Sequence, residues 1–114
     1  MNPIENLKDL IVYQSQNNEN ISVEVLYDNE DFWLTQKSMS KLFEVEMNTI
    51  NYHSKEIFKS GKLPEKPVIR KITITSNDGK NYNTNFYSLD EIIAVGYRVN
   101  SKKATDFRIW ATGN

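Results

Sequence analysis

An α+β fold is predicted for this sequence: an N-terminal β-meander, a helix-turn-helix, a β-hairpin wing and two C-terminal helices. Three observations carry the prediction. Residues 21–27 alternate between apolar and polar with period two. At Thr35 the apolar spacing changes to that of a helix. Asn77-Asp78-Gly79 then lies between two further strand-like runs, ahead of two more helical stretches.

Each element has its own signal. Leu10-Ile11-Val12-Tyr13 is a short apolar strand, followed by the polar run 14–20. Ile21-Ser22-Val23-Glu24-Val25-Leu26-Tyr27 is a half-buried strand, and Asp28-Asn29-Glu30-Asp31 turns the chain into Phe32-Trp33-Leu34. Thr35 is a good N-cap for a helix that carries Met39, Leu42 and Phe43. After Glu44-Val45-Glu46, a second helix sets Met47, Ile50, Ser54, Ile57 and Phe58 on or near one face. Gly61 is its natural C′ residue, and Lys59 suits the negative end of its dipole. Pro64 and Pro67 punctuate the next loop.

The hairpin at 68–87 has an arguable register. A two-residue Asp-Gly loop sets Ile74 opposite Asn83 and mixes the faces. A three-residue loop with Gly79 left-handed sets Ile74 opposite Tyr82, Ile72 opposite Thr84 and Arg70 opposite Phe86, so the second register is expected. Ser88-Leu89-Asp90-Glu91 has the form of a capping box. It opens a helix with Leu89, Ile92, Ile93 and Val95, expected to stop near Gly96. Ser101 is expected to cap a last helix with Ala104, Phe107, Trp110 and Ala111 inward. That helix ends about three turns in, so residues 1–114 read as a single winged helix-turn-helix-like domain, the N-terminal fragment of a longer protein.

Composition narrows the chemistry. The chain has no cysteine, which removes disulfides, thiolate metal sites and cysteine nucleophiles, and His53 is its only histidine. No nucleophile–base pair or metal cluster can be assembled, so no enzyme, metal or cofactor is expected. No apolar run reaches the ~18 residues of a membrane span, and the start, Met1-Asn2-Pro3-Ile4-Glu5, lacks the regions of a secretory signal. A soluble, cytoplasmic protein is expected. The net charge of −1 conceals a split: residues 1–60 hold 5 Lys/Arg against 10 Asp/Glu, whereas residues 61–114 hold 9 against 5. A basic half is compatible with nucleic acid. The 14 asparagines, and 11 lysines against 3 arginines, suit an AT-rich genome and say little about function.

The two helices at 35–43 and 47–60, joined by three residues, have the spacing of a helix-turn-helix. Met39, Phe43, Val45 and Ile50 stand where they lock the crossing angle, and Ser40 is the small residue at the crossing. The turn wants a residue that tolerates positive φ; Glu44 occupies it, at a cost of about 1 kcal/mol. On that register Glu46, Met47, Asn48, Asn51, Tyr52 and Lys55 face a major groove. Asn48 and Asn51 match adenine edges. Thr49, Tyr52, His53 and Lys55 reach toward phosphates, while Glu46 and Glu56 repel them. Lys59, Lys62 and Lys66 lead to a hairpin that carries Arg70, Lys71 and Lys80. Four or five phosphate contacts would give a slope of about −4 in log K against log[salt]. Arg98, Lys102, Lys103 and Arg108 form a second basic cluster.

Three stretches resemble the RhuM-type virulence protein family. The first runs through Trp33-Leu34-Thr35-Gln36, Met39-Ser40-Lys41-Leu42-Phe43, Asn48-Thr49-Ile50, His53 and Ile57-Phe58. The second, more specific, is Tyr87-Ser88-Leu89-Asp90-Glu91-Ile92-Ile93-Ala94-Val95-Gly96-Tyr97-Arg98-Val99-Asn100-Ser101-Lys102, and Phe107-Arg108-Ile109-Trp110-Ala111-Thr112 completes it. The Phe-Arg-x-Trp ending is also similar to phage antirepressor N-terminal domains. The resemblance implies a bacterial or phage-borne DNA-binding protein with a further domain. The turn position usually held by Gly is Glu44 here, and two usually basic positions are Met47 and Tyr52. Two partners are therefore weighed: double-stranded DNA, or, for an antirepressor-like interaction module, another protein or a second copy.

Overall fold

The computed structural model describes residues 10–15, 21–64, 68–75 and 78–113, with only the backbone described at 74 and 75. The polar run at 16–20, Lys66, Pro67 and the turn residue Asn77 lie outside these. Strands β1 (Leu10–Gln14), β2 (Ser22–Asp28) and β3 (Asp31–Leu34) form the expected meander, and β4 (Ile69–Thr75) and β5 (Asn81–Ser88) the expected hairpin. The two are not separate sheets. Trp33 pairs with Ser88 and Leu34 with Tyr87, which joins them in one antiparallel sheet of order β1-β2-β3-β5-β4. The reason is burial, because Leu34 and Tyr87 bury their side chains in the same core. Helices α1 (Gln36–Phe43) and α2 (Met47–Lys59) are inserted between β3 and β4, and α3 (Leu89–Val99) and α4 (Ser101–Thr112) follow β5.

Side chains alternate across a strand, so the pairing sorts residues onto two faces. Tyr13, Val23, Val25, Leu34 and Tyr87 meet the helices in a core with Met39, Leu42, Phe43, Ile50, Ile57, Ile92, Val95, Ala104 and Phe107. On the opposite face Leu26, Trp33 and Phe86 form a smaller cluster with Leu10 and Ile72. The β2–β3 turn is tight, with Asn29 and Glu30 both at positive φ (55° and 60°) between the paired Asp28 and Asp31. Two left-handed residues match the twist of a two-residue hairpin.

The hairpin register is the one the sequence predicts: Arg70 opposite Phe86, Ile72 opposite Thr84 and Ile74 opposite Tyr82, with Gly79 at φ 81°. Thr35 caps α1 by accepting from the Ser38 amide at 3.0 Å. Glu44 closes α1 in the left-handed region (φ 59°, ψ 46°), and Gly61 follows α2 at φ 78°.

Four expectations at the C-terminal helices are corrected. Ser88 makes no side-chain cap bond, and no capping box forms at α3. Ser88 is still in register with Trp33 and is buried, so the helix starts inside the core, where Glu91 turns to α2 and accepts from Ser54 Oγ at 2.8 Å. Gly96 does not end α3, which runs on to Val99. A Cβ there would lie 2.6 Å from both the Ala104 Cβ and the Phe43 ring, so Gly96 is the point where α1, α3 and α4 approach closely. Asn100, not Ser101, caps α4, accepting from the Lys103 amide. Of the residues expected inward on α4, Ala104 and Phe107 are fully buried, whereas Trp110 is 36% exposed at the edge of a ring cluster with Tyr13, Phe32 and Phe107.

Candidate nucleic-acid interface

Helix α2 buries Ile50, Ser54 and Ile57 and presents Met47, Asn48, Tyr52, Lys55 and Lys59 outward. Glu46 holds its N-cap position without a side-chain cap bond, so its charge acts there only through the helix dipole. Thr49 is half-buried one turn into the helix. The two asparagines part company. Asn48 is exposed, but Asn51 is half-buried and its Oδ1 accepts from Gln36 Nε2 at 3.2 Å. Gln36 Nε2 also donates to the Tyr87 hydroxyl at 3.2 Å, so Asn51 ties α2 to α1 and β5. A bidentate adenine contact needs the Asn oxygen as acceptor, and at Asn51 that oxygen is engaged.

His53 faces α3. The Arg98 Nε donates to its Nδ1 at 2.9 Å, and the Tyr52 ring stands edge-on to the imidazole at 5.1 Å. Burial, then the Arg98 charge, holds the imidazole pKa below its ordinary value against a smaller opposing pull from Glu56. His53 is therefore a neutral acceptor near pH 7 and lends no charge to a phosphate. The second basic cluster does not stay together: Arg98 goes to His53, Lys103 lies 3.7 Å from Glu44, and Arg108 borders a hollow with Lys62 and Leu63.

The hairpin register separates its three cations. Arg70 stands on the face of Trp33 and Phe86, pairs with Asp28, and lies 5.5 Å over the Trp33 ring. Lys71, opposite Asn85, belongs to the face that α1 and α2 share. Lys80 is exposed beside the tip, where its amide donates to Asp78. The structure thus leaves Lys71 on the sheet face toward the helices and Asn48, Tyr52 and Lys55 exposed on α2, and sends Arg70 to the opposite face of the sheet. Between α2 and the hairpin lies a cleft of about 260 Å³ lined by Gln36, Lys37, Met47, Asn83, Asn85 and Tyr87. A larger hollow of about 610 Å³, bounded by α1, β1 and β2, touches no residue of α2.

Sequence reasoning missed Gln36, Lys37, Asn83 and Asn85 as members of this surface. Period two along β5 was the available signal, since it places both asparagines with Lys71. Glu91 was missed because its sequence context is that of a cap.

The model of the virulence protein RhuM family matches residues 67–114, the hairpin and the two C-terminal helices, where the more specific part of the resemblance lies. Over that segment the chain is similar to RhuM-type proteins. No curated protein and no solved structure matches it. Among the described residues, no helix is long and apolar enough to cross a membrane.

Proposed function

We propose that this RhuM-type protein is a bacterial regulator without catalytic activity that binds double-stranded DNA. In this reading α1 and α2 form a helix-turn-helix and β4–β5 its wing. The observation that carries it is the shared cleft, because Met47 at the start of α2 and Asn83 and Asn85 on the hairpin line the same opening. A duplex seated there meets the outward end of α2 and the hairpin together. Asn48 reads a base edge. Lys37, Lys55, Lys71 and Lys80 take phosphates, and Tyr52 and Lys59 lie farther along the backbone.

The test is a salt titration of binding to random and genomic duplexes. Four phosphate contacts give a slope near −4 in log K against log[salt]. Lys71→Ala should weaken binding to every sequence and flatten the slope by about 1, whereas Arg70→Ala, already paired with Asp28, should leave it unchanged. Absence of binding at about 50 mM salt refutes the reading. The second reading, a protein-interaction module resembling antirepressors, is favoured by the exposure of Met47 (46%) and Tyr52 (58%) on a helix that also exposes Glu46.

A further inference from the structure

The hairpin carries an ordered polar row that the reading above does not use for recognition. Asn81, Asn83 and Asn85 occupy alternate positions of β5, so all three stand on the face shared with α1 and α2. Thr73 pairs with Asn83 and Lys71 with Asn85 across the ladder. All three asparagines are exposed, although the hairpin's Phe86 and Tyr87 are buried. Strand β3 reaches β5 only at Tyr87 and Ser88, which leaves the stretch 81–85 beyond its pairing. Alternate residues of a strand are about 6.8 Å apart, and stacked bases about 3.4 Å. The row therefore keeps step with every second base pair.

We propose that Asn83 and Asn85, continued by Asn81, form a second base-reading surface that selects A·T pairs, resting on the DNA-binding reading above. The carboxamide chemistry points to A·T in both grooves. In the major groove an asparagine pairs bidentately with adenine N6 and N7. In the minor groove A·T pairs show acceptors only, whereas G·C adds a donor. Asn83, whose Oδ1 already accepts from Thr73 Oγ1 at 2.8 Å, has its amide hydrogens left for such acceptors, and the bidentate adenine contact falls to Asn85. Lys71 beside Asn85 supplies a phosphate contact that holds the row in place.

The experiment is competitive binding of A·T-rich and G·C-rich duplexes of equal length, with the wild type and with Asn83→Thr/Asn85→Thr. Threonine suits a strand better than asparagine, so the hairpin is kept, and a thermal melt checks this. The wild type is expected to prefer A·T, and the variant to lose roughly tenfold or more of that preference. Its salt slope stays the same, because neutral side chains release no counterions. Wild-type binding without A·T preference overturns the inference and leaves DNA binding standing, as does an undiminished preference in the variant. Equal loss on both duplexes with a flatter slope also overturns it. Failure of the wild type to bind either duplex overturns both readings.

Discussion

Replacing Glu91 by Gln should change how the stability of this protein depends on pH. The Glu91 side chain is fully buried between α3 and α2; Ser54 donates to its Oε2, while among the described residues Oε1 and the neighbouring Ser88 Oγ have no hydrogen-bond partner. Burial pushes the carboxyl from 4.5 up to about 7, opposed by the Ser54 bond. The folded state then binds more protons than the unfolded state between these values, so stability falls as pH rises. The contribution is complete below about pH 4.5 and is lost through about pH 7, and such a displacement is worth at most about 3 kcal/mol. Of this, about 2–3 kcal/mol falls between pH 5 and 8, enough to move the melting point of a small domain by roughly 10 °C. His53 acts oppositely: its pKa is lowered, so its term raises stability as pH climbs through the ordinary histidine range. Urea denaturation of wild type and Glu91→Gln from pH 5 to 8 separates the two, because both chains keep His53. The variant's unpaired amide hydrogens offset its stability at every pH, and that offset does not titrate. Parallel pH profiles for the two proteins would refute a buried, ionisable Glu91.

Three further outcomes follow from local geometry. Gly96→Ala forces a methyl against Ala104 and Phe43 and should cost about 1–3 kcal/mol or more, read as a lower urea midpoint with an unchanged slope. Glu44→Gly removes a left-handed non-glycine residue, which stabilises by about 1 kcal/mol, and gives up a 3.7 Å pair with Lys103 worth no more than about 0.5 kcal/mol; a net rise in melting temperature is expected. Asn51→Ala should lose about 1 kcal/mol of stability by freeing Gln36, whereas Asn48→Ala should leave the melt unchanged and alter base preference alone.

Much of this fold was legible because several of its signals are local and steric. The demand for positive φ at Glu44 and Gly79, the cap at Thr35 and the register of the hairpin each involve a few neighbouring residues, and all are found. The errors gather at α3 for one physical reason. That helix begins within the sheet, crosses α1 and α4 at Gly96 and faces α2 at Ser54, so tertiary contact outranks each local signal. Ser88 and Glu91 have the spacing of a box, but the end of a strand is not an open helix terminus. Gly96 looks like a stop, yet what it supplies is room. The candidate interface was half legible: periodicity turns Asn48, Tyr52 and Lys55 outward, but only the tertiary fold withdraws Arg70 to Asp28 and Asn51 to Gln36.

That withdrawal shapes how a duplex would be held. With Arg70 paired and His53 neutral, the cations facing the cleft side are lysines, and on α2 Lys55 and Lys59 are set against Glu46 and Glu56. Lysine binds phosphate as a point charge and reads no base, so on the proposed reading this surface would supply modest, salt-sensitive affinity. Discrimination must then come from neutral groups. On α2 the exposed Asn48 remains, while on β5 two exposed asparagines line the cleft itself. On the DNA-binding proposal such a protein would bind weakly and selectively: raising salt should lower its affinity for all sequences by the same factor while its A·T preference persists. A preference that collapsed with salt would mean that the lysines, and not the asparagines, distinguish one duplex from another.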